Sequence, residues 1–187
     1  MAIKPNASPD EVSSPFYKAN EEFCSEFESY IARKNGKVKG NYNAWSYLIF
    51  GKISVPKNWD LMYKKSTFTS GNLLLSSEYQ SLLVLAKWET ERKGIHNTEF
   101  NIRRKTRVDL IKLLLNKSLS KLDLSDKYVI EIKDNKPQLI SKLTELLKNL
   151  FISGEIYEID YRNDKLKIEL RTKKHHFDLF DKLTSEI

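Results

Sequence analysis

The chain has 187 residues, 40% apolar and 30% charged, enough for a real hydrophobic core in one domain or two small ones. A lone cysteine, Cys24, excludes an internal disulfide, and no apolar run approaches the roughly 18 residues of a membrane-spanning helix. The expectation is a soluble, cytoplasmic protein whose net charge of +7 invites a search for anionic partners.

Met1 to Ser14 is polar, carries Pro5 and Pro9, and has no apolar core of a secretory signal, so residues 1–13 read as a loose tail. Ser14 followed by Pro15 is a helix start, a capping serine with proline at the first helical position. Phe16, Phe23, Phe27, Tyr30 and Ile31 follow at helical spacing to about Arg33, and Asn35-Gly36 ends the run. Cys24 borders this stripe and reads as a packing residue, because no basic or histidine neighbour lies nearby in sequence to activate it.

From Gly36 to Lys105 the signals are mostly of strand. Trp45, Tyr47, Ile49, Ile53 and Val55 surround Gly51, and Pro56 stops the run. Leu61 and Tyr63 lie in the next segment, Thr69-Ser70-Gly71-Asn72 reads as a turn, and Leu73 to Leu75 as a further strand. Glu78 to Arg92 fits either a helix, with a capping box at Ser77-Gln80, or a strand with Val84, Ala86, Trp88 and Thr90 on one face. Strand is preferred, since Thr98 to Arg104, with Phe100 and Ile102 inward, offers a hairpin partner across residues 93–97. Val108 to Leu115 is a short apolar-rich helix, and Asn116 to Asp126 a polar connection.

Residues 127–187 are the most legible stretch. Tyr128, Ile130 and Ile132 share one face of a strand. A helix opens at Asp134 or Asn135 with Pro137 in its first turn, carries Leu139, Ile140, Leu143, Leu146, Leu147, Leu150 and Phe151, and stops at Gly154. A hairpin turning at Asn163-Asp164 then pairs Arg162 with Lys165, Tyr161 with Leu166, Asp160 with Lys167, Ile159 with Ile168, Glu158 with Glu169 and Tyr157 with Leu170. Phe177, Phe180 and Leu183 on a last helix can cover the apolar face. The expected fold is α+β: an N-terminal helix, a mostly antiparallel β middle, and a C-terminal β-α-β-β-α unit with helices on one sheet face. Residues 14–187 read as a single domain, with two subregions meeting near residue 120. The "FNIRRK" strand, "YVIEIKD", the long helix and "IYEIDYRNDKLKIEL" resemble, over about residues 70–187, an uncharacterised bacterial α+β family, some members of which carry such a domain beside membrane helices. The resemblance implies the fold and brings no catalytic residues.

Chemistry is sparse. No phosphate-cradling glycine loop, nucleophile elbow or metal-ligand spacing is present, and His96, His175 and His176 read as solvated turn or helix-start residues. Glu158 and Asp160 project side by side, but Lys165, Lys167 and Arg171 beside them keep both ionised, the opposite of what a general acid requires. No catalytic, cofactor-binding or metal-binding residue is assigned. The charge is concentrated: residues 33–126 hold 18 basic and 8 acidic side chains, against 2 and 6 in residues 1–32 and 12 and 11 in residues 127–187. Lys64, Lys65, Arg103, Arg104, Lys105 and Arg107 are the candidate contacts for an anion or nucleic acid, with Tyr42, Trp45 and Tyr47 as aromatics on which bases could stack. The expected function is a non-catalytic binding module, acting through its β-surface on a protein or on a second copy. The alternative is a basic RNA- or DNA-binding protein.

Overall fold

The structure, a computed structural model, describes residues 2–70, 73–76, 85–91, 98–115, 118–133 and 138–187, with the backbone alone for 67–70 and 73–76. These residues form six helices and twelve strands, and the strand pairing is mostly antiparallel, with the first two strands running parallel. The fold is α+β. The chain divides into two compact units, Met1–Trp88 with Arg171–Phe177, and Glu89–Leu170 with Asp178–Ile187, so the division falls after Trp88 rather than near residue 120.

The first unit contains β1 (Ile3–Pro5), α1 (Pro9–Val12), α2 (Pro15–Arg33), β2 (Lys37–Tyr42), β3 (Tyr47–Ile53), β4 (Trp59–Lys65), β5 (Thr67–Ser70), β6 (Leu73–Ser76) and the first half of β7 (Leu85–Glu91). The amino terminus is no loose tail. Ile3 is fully buried and β1 runs parallel to β2, so one buried isoleucine and a strand ladder hold a segment that polarity alone marks as free. Ser14 caps α2 as expected, its hydroxyl accepting from the Phe16 N–H. Phe27, Ile31 and Cys24 are fully buried where α2 packs on the sheet, while Phe16 stands exposed. The approach is close enough to require glycine beneath it, since a Cβ on Gly51 would lie 2.5 Å from Ile31 Cδ1. Tyr47, Ile49 and Ile53 are buried as read, but Val55 lies beyond β3 and is exposed.

The second unit contains β8 (Phe100–Arg104), α3 (Asp109–Leu115), β9 (Leu119–Leu122), β10 (Ser125–Ile132), α4 (Gln138–Leu146), α5 (Lys148–Ser153), β11 (Ile156–Arg162), and β12 (Lys165–Arg171) and α6 (Phe177–Glu186) apart from Arg171 and Phe177. Its strands run β12-β11-β8-β10-β9. The hairpin between residues 85–91 and β8 does not form. Both edges of β8 are taken, with Ile102 opposite Ile130 on one side and Ile159 on the other, because its alternate residues are apolar enough to sit mid-sheet. Residues 85–91 are nonetheless strand, with Ala86, Trp88 and Thr90 buried; the capping-box alternative at 77–80 lies outside the described residues. The "polar connection" after α3 holds β9, whose Leu119 and Leu122 are buried.

The β11–β12 hairpin keeps the expected register from Arg162↔Lys165 through Glu158↔Glu169, with Asn163 and Asp164 at φ 51° and 57°. Beyond that pair a bulge intervenes. Ile156 rather than Tyr157 meets Leu170, leaving Tyr157 38% exposed and Ile156 fully buried. In β10, Val129 is as buried as Tyr128, so the strand is covered on both faces rather than alternating. The long helix is two: Leu147, at φ −100° and ψ 10°, separates α4 from α5, and Gly154 in the left-handed region ends the second. The expected start at Asp134 or Asn135 lies outside the described residues.

Candidate interaction surface

The six cations singled out in the sequence fall in both units and have different employment. Lys64 and Lys65, on β4, belong to the first. Lys64 is exposed, whereas Lys65 donates from Nζ to Asn20 Oδ1 at 2.8 Å. Asn20 is itself buried, donating to the carbonyls of Asn43 and Ala44. Burial and the nearby Lys173 lower the Lys65 pKa. It is part of the packing around α2.

Arg103, Arg104, Lys105 and Arg107 belong to the second unit. Successive strand residues point to opposite faces, so Arg103 and Arg104 cannot serve one ligand together. Arg103 forms a two-pronged pair with Asp109 at 2.6 and 2.7 Å, and the Thr106 N–H and hydroxyl each donate to the same carboxylate at 2.7 Å. The Asp109 side chain is 1% exposed. The guanidinium of Arg103, together with the Thr106 donors, outweighs burial and holds this carboxyl well below the usual range. Arg104 donates to the Gly154 carbonyl and, at 3.4 Å, to the Ile156 carbonyl, tying down the chain where α5 ends. Lys105 is half-buried with its backbone bonded to Lys127, and Arg107 is exposed.

The Arg103–Asp109 pair sets α3 in place, and what α3 then presents was not expected. Asp109 is its one buried residue. Leu110 is 56% exposed, Ile111 62%, Leu114 85% and Leu115 82%, and Val108 just before the helix is 59% exposed. Short helices are unstable alone and normally survive by burying an apolar face. Here a buried ion pair anchors the helix and the apolar face is turned out. Exposed apolar groups on this scale mark interaction sites more often than chance does. The sequence did contain the signal, six apolar residues in the eight from Val108 to Leu115, but a core helix has the same pattern.

No family model matches this chain, and no curated relative does.

The remaining chemistry converges less. Asn101 Nδ2 donates to both Glu158 Oε1 (2.8 Å) and Asp160 Oδ1 (3.0 Å), Lys167 pairs with Glu158 and Arg162 with Asp160, each at 2.9 Å. Burial works to raise the Glu158 pKa, but the bonds from Lys167 and Asn101 outweigh it and the value is lowered. Lys167 also reaches Glu169 at 3.5 Å, which offsets the like-charge pairing across the hairpin. In the first unit His175 is not a solvated helix-start residue. Its ring stacks on Phe23 and Phe177 and meets Tyr63 edge-on, and Nε2 lies 3.0 Å from the Phe23 carbonyl. Burial lowers its pKa to about 4. Burial likewise pushes the Cys24 thiol up to about 12, an inert packing cysteine. His96 lies outside the described residues. Among the described residues no helix is long and apolar enough to cross a membrane, and no group of three His, Cys, Asp or Glu side chains is placed to hold a metal.

Proposed function

We propose that the chain is a non-catalytic interaction module and that its contact surface is the outward side of α3. The observation that carries this reading is the exposure of Leu110, Ile111, Leu114 and Leu115 on a helix anchored by the buried Arg103–Asp109 pair. The surface is therefore the helix and not the sheet face that the strand pattern favoured. A rigid apolar surface held by polar groups behind it is what recognition requires, since the ordering cost of the helix is met before the partner arrives. The carboxylates of Glu158 and Asp160, clamped by Asn101, Lys167 and Arg162, fit a structural role in the hairpin. We propose also that the chain shares its fold with the uncharacterised bacterial α+β family that its C-terminal motifs resemble. The test is cross-linking in cells from a photoreactive residue at position 111, with one at exposed Asp123 as control. Adducts to protein, nucleic acid or lipid from position 111 and not from 123 support engagement of α3; no adduct from 111 overturns it.

A second reading, nucleic-acid binding, rests on the exposed Arg107 and the half-buried Lys105 of the second unit. Its variant of choice is Lys105→Glu with Arg107→Glu, because Arg103 and Arg104 are engaged within the unit and their loss would disturb the fold. Salt-sensitive RNA or DNA binding that this double variant weakens supports the reading, and no binding at low salt ends it.

A further inference from the structure

We propose that α3 docks the protein on an anionic bilayer, its apolar side entering the acyl boundary while the flanking cations meet headgroup phosphates; the proposal rests on the interaction surface assigned above. At 100° per residue, Leu110, Ile111, Leu114 and Leu115 fill an arc of about 140° with no polar side chain inside it, and Asp109 and Leu113 lie opposite. The helix is about 10 Å long, too short to span and suited to lying in the interface, where apolar faces sink roughly 5–10 Å.

Along the chain the charge here is almost all positive, although Glu131 and Glu158 lie near enough to act on Arg103. Residues 103–121 carry seven cations and one anion, and that anion, Asp109, is buried against Arg103. Arg107, Lys112 and Lys121 are exposed beside or after the helix. The next carboxylates along the chain, Asp123 and Asp126, come only at the β9–β10 turn and the start of β10. Stable adsorption takes two signals, an inserted apolar group and a basic patch, because either alone binds weakly and reversibly. The apolar arc of α3 and the exposed Arg107, Lys112 and Lys121 supply both. A groove on a partner protein would be oriented by a few placed polar contacts. The outward arc of α3 offers none, and hydrophobic insertion needs none, being non-directional.

The test is co-sedimentation of the full chain with vesicles of phosphatidylcholine alone and with 30% phosphatidylserine. Binding to the anionic vesicles at least tenfold tighter than to the neutral ones is expected. Leu114→Asp with Leu115→Asp, at positions already exposed, loses tenfold or more without lowering the thermal midpoint, and Arg107→Glu with Lys112→Glu does the same through the charge. In Leu114→Trp, the tryptophan emission moves to shorter wavelength on adding anionic vesicles only. Absence of binding at low salt overturns the proposal. So does binding that the double aspartate leaves unchanged, which would place adsorption elsewhere. Adducts from position 111 to protein or nucleic acid, with none to lipid, overturn the bilayer and leave the interaction module standing; no adduct at all removes both.

Discussion

Within the second unit, α3 and α4 carry nearly the same apolar spacing and meet opposite fates. Leu110-Ile111 and Leu114 repeat the offsets of Leu139-Ile140 and Leu143. The α4 trio is buried, while the α3 trio is 56% exposed or more. What differs is the residue that faces inward: apolar in α4, and in α3 an aspartate that Arg103 and Thr106 hold with four hydrogen bonds. Apolar periodicity tells that a helix has a face, and the anchor decides which way it turns.

The contrast between the two helices should be largest at Leu143, fully buried on α4. Leu143→Ala should cost about 2–5 kcal/mol by transfer and cavity terms, read as a fall in denaturant midpoint. On α3 the corresponding weight sits on the anchor. Asp109→Ala leaves Arg103 and the Thr106 donors without their acceptor and should cost about 2–3 kcal/mol, toward the low end for a buried pair because the Arg103 side chain is 29% exposed. Hydrogen exchange should show the loss as faster opening of residues 109–115.

Acid sharpens the same point. The native Asp109 pKa lies below its unfolded value of about 3.9, so its contribution is complete above that value and is lost as pH falls toward the native one. Between pH 5 and 3 the wild type should therefore lose about 1 kcal/mol more stability than Asp109→Asn, measured by urea titration at each pH. The smallest effect belongs to the exposed face. Leu114→Ala should change stability by less than about 0.5 kcal/mol, an order below Leu143→Ala, despite the identical chemical change. A cost above about 2 kcal/mol would mean that Leu114 is covered in the isolated protein and would remove the surface.

Local signals in the sequence match the structure. Ser14-Pro15 capped α2, and two positive-φ residues at Asn163-Asp164 set a hairpin register that held for five pairs. Elsewhere a neighbour distant in sequence decided the outcome. Tyr157 and Ile156 are both apolar enough for the core, and the bulge chose between them. β8 looked like half of a hairpin because the strand beside it in sequence was at hand, yet it lies between β10 and β11. His175 read as solvated until Phe23, Tyr63 and Phe177 closed around it. Of the six candidate cations, residue type was legible and availability was not, since Arg103, Arg104 and Lys65 all bond within their own unit.

Sequence alone determined the class of fold, the helix cap and the hairpin turn, because backbone preference and two-residue periodicity act over a few bonds. Tertiary structure decided which strands flank β8, which arginines are engaged, and that the apolar side of α3 faces out. Burial is a property of the partner as much as of the residue, and no leucine carries in its own identity the surface that will or will not cover it.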